Sequence, residues 1–316
     1  MPGWVCVGHP DPDDQVQVTL EFDGEELDIS RCHRMVALAP LTIAVGDAPL
    51  KTQFGSRAPS GSSAAGPKPR PHIGSTGVIV VKERGPAGRS LGQIKVRLTR
   101  SLEVCGSRIA LLEVGESRNY CVSPVRDAAI RSYEAWKAAR DRNPRNIGMT
   151  PSDMFAMWIL HDAPRPVVAV SYGSEEKGNL FPMDLVGPVT DGCYVLGLHS
   201  SSPALPIFRD AGRIAVSEMP VQAKDAVYAL GKNHREDFRE VRKLPLPVAR
   251  SPLFGIPVPE QALCVRELVV EQVENLGSHH LLATSVKSLE NKSGGPRMTH
   301  IHRLYQQYLM RQGRAL

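Results

Sequence analysis

The feature that most restricts the fold of this chain is the brevity and regular spacing of its apolar runs. Alternating or fully apolar stretches occur at residues 16–22, 35–45, 77–81, 90–98 and 108–114. They resume at 167–171, 194–199, 213–216, 262–273 and 280–288. Runs of this length and patterning read as strands. Helical signals are fewer. Ser123 with Pro124 caps and opens one helix, on which Val125, Ile130, Tyr133 and Trp136 give an approximate apolar face. Thr150, Pro151, Ser152 and Asp153 form a capping-box start for a second, with Met154, Phe155, Met157 and Trp158 as its core-packing surface. Further helices are expected from Pro203, over 220–232 and over 299–311. Strands in the majority with helices at the edges make the chain α+β, mainly β, and barrel-like rather than doubly wound.

A length of 316 residues suits two domains. The division expected is a β-rich unit over 1–145 and a second unit over 146–316. Within the first, a stretch at about 53–74, rich in Ser, Gly, Ala and Pro from 56 to 71, has too little apolar surface to order itself and reads as a flexible loop. Apolar residues at 42 % and charged residues at 22 % supply a normal core, and the net charge of +5 is mild. Basic residues are not concentrated on one element with interleaved aromatics, so a nucleic-acid partner is not expected. No run approaches the ~18 apolar residues of a membrane helix, and the opening residues lack the pattern of a signal peptide. Six cysteines are scattered without close pairs, which argues against a metal site and for reduced thiols in a cytoplasmic protein.

Three segments carry chemistry. At His199, Ser200, Ser201, Ser202 and Pro203 a strand ends in three hydroxyls just before a helix start. With Ser202 as N-cap, free amides and hydroxyls there would cradle a phosphate; the same serines are also compatible with plain capping. The stretch Asn179, Leu180, Phe181, Pro182, Met183 and Asp184 offers an amide, a carboxylate and a proline-stiffened backbone to the polar edge of a flat heterocycle. An irregular edge strand with Phe181 and Met183 in the core is the alternative. Finally, His279 and His280 precede an apolar strand, where neighbouring side chains point to opposite faces, so one at most enters a given pocket.

Taken in this order, the segments resemble the flavin reductase family of FMN-binding split β-barrels. The resemblance spans about 163–309. It includes Gly212, Arg213, Ile214, Ala215 and Val216, then Gly255, Ile256, Pro257 and Val258, then Gly277 through His280. Two departures are visible: residues 179–185 hold no hydroxyl, and Ser278 or His279 stands where the family has Asp.

The resemblance implies an FMN-dependent oxidoreductase that uses NAD(P)H as hydride source and acts on free flavin or a specific small molecule. It implies a homodimer with flavin near the subunit interface. The phosphate would lie at His199 to Ser202, and the ring edge at Asn179 to Asp184. His280, or less readily His279, would stand on the substrate side as the catalytic group. The flavin carries the chemistry and the protein places it. A non-catalytic holder of flavin or another planar cofactor is the alternative function, and a barrel without ligand a third.

Overall fold

The computed structural model describes all residues except 1–2, 10, 12–14, 23, 47–71, 86–87, 141–146, 175 and 315–316. Strands in chain order are β1 Trp4–His9, β2 Val16–Phe22, β3 Glu25–Asp28, β4 His33–Leu38, β5 Leu41–Gly46, β6 Thr76–Glu83, β7 Ser90–Val104 and β8 Ser107–Asn119. They continue as β9 Arg165–Pro166, β10 Val168–Gly173, β11 Lys177–Met183, β12 Val186–Thr190, β13 Cys193–His199 and β14 Arg213–Glu218. The last are β15 Arg239–Glu240, β16 Val248–Arg250, β17 Pro257–Pro259, β18 Cys264–Asn275, β19 His279–Asn291 and β20 Arg297–His302. Helices are α1 Pro124–Arg140, α2 Pro151–Leu160, α3 Ala204–Ala211, α4 Lys224–Ala229 and α5 Arg303–Arg311.

Two antiparallel sheets dominate. The first has the order β3-β2-β6-β7-β8-β5-β4, the second β12-β13-β19-β18-β14-β10-β11-β15. A small sheet, β1-β20-β9, ties the start of the chain to its end. The first sheet buries Leu20, Ile43, Ile79, Ile94 and Leu112 in a core closed by α2 and by Tyr305 and Leu309 of α5. The second sheet is apolar on both faces. Val168 and Val170 join a cluster capped by Phe208 of α3, while Val167 and Ala169 join one beneath α4. Double coverage explains why 167–171 is apolar without alternation.

Several sequence expectations change in detail. The run 35–45 is two strands, because the chain reverses at Ala39–Pro40. The run 299–311 is not one helix. Its first residues complete β20 by pairing with β1, and the helix begins only after His302, whose ring accepts the Leu304 amide at 3.3 Å. The stretch 220–232 breaks into short 3-10 turns around α4. On α1 no residue is buried, and Val125, Tyr133 and Trp136 are 82, 58 and 51 % exposed, so its apolar face is turned to solvent. The helix is held instead by arginines: Arg131 donates to the Ser117 carbonyl at 2.9 Å, and Arg126 to Gln307 at 2.8 Å. The Thr150 capping box does form, with Asp153 N–H donating to the Thr150 hydroxyl at 3.1 Å. Met157 packs in the core as expected, Met154 and Trp158 lie against it with Trp158 stacked on His302, and Phe155 is buried beneath Arg131, edge-on to Trp158. The Ser/Gly/Ala/Pro-rich run at 56–71 lies outside the described residues.

Candidate functional site

The hydroxyl-rich bend sits where β13 gives way to α3. Ser200 and Ser201 are exposed, His199 is half-buried and Ser202 is buried. Ser201 and the His199 Nδ1 atom lie 2.8 Å apart, and the Ser200 hydroxyl donates to the Gly277 carbonyl at 2.7 Å. The Ser200 amide donates to the Ser278 carbonyl at 3.0 Å. The bend is thereby fastened to the β18–β19 turn.

That turn is fastened in its own right to the first sheet. The Ser278 hydroxyl accepts the Ala39 amide at 2.8 Å, and the Ser278 amide donates to the Ala39 carbonyl at 3.0 Å. Arg100 of β7 reaches the Asn275 carbonyl at 3.2 Å. The bend, the His-bearing turn and the β4–β5 turn therefore meet at the seam between the two large sheets.

The helix start does not offer the free amides expected from the sequence. Helix α3 begins at Ala204, with Pro203 rather than Ser202 at the cap position and no side-chain cap there. Pro203 and Pro206 have no N–H. The Ser201 amide goes to His199 Nδ1 at 3.2 Å, Ser202 to the His199 carbonyl at 2.8 Å, Ala204 to the Ser202 hydroxyl at 3.4 Å and Leu205 to the Ser202 carbonyl at 3.1 Å. An anion at this bend would meet hydroxyl and imidazole groups, not a row of open amides.

His279 and His280 point to opposite faces, as neighbours on a strand must. Leu281, on the face of His279, lies in the apolar cluster at the seam, whereas Leu282, on the face of His280, lies in the core capped by α3. Burial pushes the His279 ring down to about 4, with His199 nearby acting in the same direction. Its Nδ1 is 2.8 Å from the Ser278 hydroxyl. Burial, then Arg209, lowers His280 as well, and its Nδ1 is buried with no hydrogen-bond partner among the described residues. A neutral ring with one open nitrogen can donate to or accept from a bound group.

The stretch 179–184 is divided. Asn179, Leu180 and Phe181 lie in β11 and are fully buried. The Asn179 side-chain N–H groups donate to the carbonyls of Asn233 at 2.9 Å and Glu236 at 2.8 Å, and its carbonyl takes the Leu180 amide at 2.7 Å. That amide is consumed in holding the 230–236 turn, and Leu180 and Phe181 are core. These three side chains do not fit a cofactor edge. Pro182 and Met183 are half-buried, on the part of β11 that β15 leaves uncovered, since β15 pairs only at Lys177 and Gly178.

Asp184 alone reaches a polar setting. Its carboxylate is 3.0 Å from His300 Nδ1, and His300 Nε2 is 2.9 Å from the Tyr228 hydroxyl. Burial works to raise the Asp184 carboxyl, but His300, His161 and Arg165 outweigh it and hold it down to about 2. Asp184 also lines a cavity of about 20 Å³ with His33, Arg34 and Arg165. Arg34 and Arg165 are 9 and 5 % exposed, and the Nε atom of each has no hydrogen-bond partner among the described residues. A cavity of that size holds about one water. Sequence reasoning found Asp184 but missed His300, Tyr228 and both arginines, which come from four separate elements with no common motif.

No family model matches this chain, and no curated protein matches it. Solved structures do. An NADH:FAD oxidoreductase of Streptomyces globisporus, in complex with NAD and FAD fragments, is 15 % identical over 48 % of this chain and 90 % of its own, with a TM-score of 0.42. An FMN-binding protein from Thermus thermophilus with bound p-hydroxybenzaldehyde is 22 % identical over 41 % of this chain and 73 % of its own, at 0.35. The styrene monooxygenase flavin reductase from Pseudomonas putida is 16 % identical over 45 % of this chain and 90 % of its own, at 0.38. These structural neighbours are flavin reductases and FMN-binding proteins.

Proposed function

We propose that this chain is a flavin-dependent oxidoreductase that holds FMN at the seam between its two sheets and takes hydride from NAD(P)H. One observation carries the reading. The exposed hydroxyls of Ser200 and Ser201 and the His199 ring stand beside the turn that brings His279, His280 and the β4–β5 backbone together. Hydroxyl and imidazole donors in that position suit the anionic tail of a flavin nucleotide. Arg100 and Arg209 add positive charge from either side.

Ser200, Ser201 and His199 would hold the phosphate. His280, whose strand face is turned toward α3 and away from the seam, would stand on the substrate side of the cofactor. Asn179, Leu180 and Phe181 have no direct part; they fix β11, from whose end Asp184 emerges. When bound, the flavin supplies hydride and electron transfer, and the chain's own residues bind, orient and exclude water.

The test is a titration followed by a spectrum. Purified protein should bind FMN and bleach on anaerobic addition of NADH or NADPH. Binding without bleaching would leave a flavin holder that does not turn over. In Ser200→Ala/Ser201→Ala, FMN affinity should fall by roughly 1–3 kcal/mol from lost charge-assisted hydrogen bonds. Equal affinity in the double variant and the parent, by fluorescence titration, would remove the bend from the site.

A further inference from the structure

The two large sheets have one strand order. Reading β3-β2-β6-β7-β8-β5-β4 against β11-β10-β14-β18-β19-β13-β12, each strand of the first finds its counterpart in the second in the same chain sequence. Only β15, at the edge, is extra.

The agreement extends to register. In the β7–β8 pair Leu98 faces Leu112; 172 residues on, Val270 faces Thr284 in β18–β19. The same shift carries Gly92 facing Asn119 onto Cys264 facing Asn291, and Leu102 facing Ile109 onto Glu274 facing Leu281. Irregularities coincide as well. A bulge between Leu98 and Arg100 answers to one between Val270 and Gln272, and a bulge between Met35 and Ala37 to one between Pro188 and Thr190. A bulge is a specific one-residue insertion in a ladder, so matching bulges are not required by matching strand order.

The seam obeys the same correspondence. The carbonyl of Val36, the bulged residue of β4, presses on Gly197 of β13; that of Val189, the bulged residue of β12, presses on Gly46 of β5. A Cβ would meet those carbonyls at 2.2 Å on Gly197 and at 1.9 Å on Gly46. Gly46 and Gly197 are counterparts, as are Val36 and Val189. The two contacts are one contact seen twice across a two-fold axis. At that axis Arg34 lies over Gly187, its own counterpart. The apolar seam includes the counterpart pairs Val36 and Val189, Ala44 and Val195, and Ile109 and Leu281. An isologous interface has this property: residue i meets j, and j meets i.

We propose that the chain is an internal duplication in which residues 16–119 occupy the place of a second copy of the 168–291 barrel. The interface of a two-fold dimer is thereby built inside one polypeptide, and the chain is complete as a monomer. Of the 28 counterpart positions between 92–119 and 264–291, only Val114 with Val286 and Asn119 with Asn291 keep the same residue. The repeat is therefore carried by backbone plan and burial and is invisible as sequence similarity. The inference does not rest on the flavin reading.

The experiment has two arms on the full chain. Light scattering of the parent from about 1 to 100 µM should give the mass of one chain throughout; a stable two-chain species would overturn the proposal. Gly46→Ala and Gly197→Ala should each lower Tm by a few degrees or more. By hydrogen exchange, each should speed amide exchange about tenfold in the opposite half, Gly46→Ala in β12 and β13 and Gly197→Ala in β4 and β5. Exchange that rises only in the substituted half would show that the seam is not a shared interface. Should either variant fail to fold, the mass of the parent still decides.

Discussion

Residues 16–119 and 168–291 hold the same seven strands in the same order, yet their polar residues differ at nearly every place that matters for chemistry. Where the second half has His279 and His280, the first has Ser107 and Arg108 in register. Asp184 answers to Ser30, and Gly187 to Arg34. Between β13 and β14 the second half places the bend and α3, whereas the first spans the corresponding gap with residues 47–75, rich in Ser, Gly, Ala and Pro. Positions facing a core must stay apolar and of suitable volume, so they preserve the plan. Positions facing solvent or the seam's polar rim carry no such demand, and chemistry need survive on one side only. The same fold thus serves once as a candidate site and once as its support.

The sharpest way to separate the halves is to weaken an element described in only one of them. Phe208 of α3 is completely buried against Tyr172 and Phe181. Phe208→Ala should destabilise by about 3–5 kcal/mol, the cost of a large cavity in a packed core. By hydrogen exchange the loss should begin in β10, β13 and β14 and leave β2, β6 and β7 protected. Uniform loss across both sheets would mean that the halves have no separable stability.

Acid should act next, and on both halves. His33 and His161 are pushed down to about 3, and His279 and His302 to about 4, from 6.5, chiefly by burial. As pH falls below 6.5 the unfolded chain takes up protons on these rings before the folded chain can. Folded stability therefore falls from about pH 6.5 toward 4, by on the order of 1 kcal/mol per ring at pH 5.5. The low Asp184 value acts only below that window. A Tm that stays flat from pH 7 to 5 would contradict the burial of these rings, and His279→Gln should remove part of the slope.

The strands and the α2 cap were legible because their signals are local: period-two apolar runs and a Thr–Asp capping box. The duplication was not, since register and bulges lie in pairings between distant residues, and the 28-residue comparison retains two identities. The bend at 199–202 was found from its hydroxyls, but its engaged amides were not foreseeable, since they depend on the His199 ring, the His199, Ser202 and Ser278 carbonyls and the Ser202 hydroxyl all closing over the bend. Asn179 was misjudged because a buried amide holding a turn has the same sequence signature as one awaiting a ligand. The Asp184–His300–Tyr228 chain needed three elements brought together by β20, whose residues look helical when read alone.

A smaller effect tests the division of labour itself. His280→Ala should slow hydride transfer to bound FMN about tenfold or more while changing FMN affinity less, since His280 is proposed to serve the reaction and not to hold the phosphate. Arg108→Ala, at the counterpart position in the first half, should leave the rate unchanged. Equal losses in the two variants would mean that the first half takes part in the chemistry.

The smallest change expected is on the solvent-exposed face of the central strands β7 and β8 of the first half. Lys95 and Glu116 pair at 2.7 Å, but their side chains are 68 and 82 % exposed. Water and salt screen such a pair, and holding two long side chains together costs rotamer entropy, so Lys95→Ala should move stability by less than about 0.5 kcal/mol. Their counterparts 172 residues on are Glu267 and Ser288, in the second half. There the Glu267 carboxylate is fully buried and accepts the Ser251 hydroxyl and the amides of Leu253 and Phe254. Glu267→Gln should cost markedly more than Lys95→Ala, because it replaces one acceptor oxygen by an N–H donor and leaves buried donors unpaired. Similar small losses at both positions, in denaturant titrations, would show that the second half tolerates polar change as readily as the first, and the contrast drawn between them would fail.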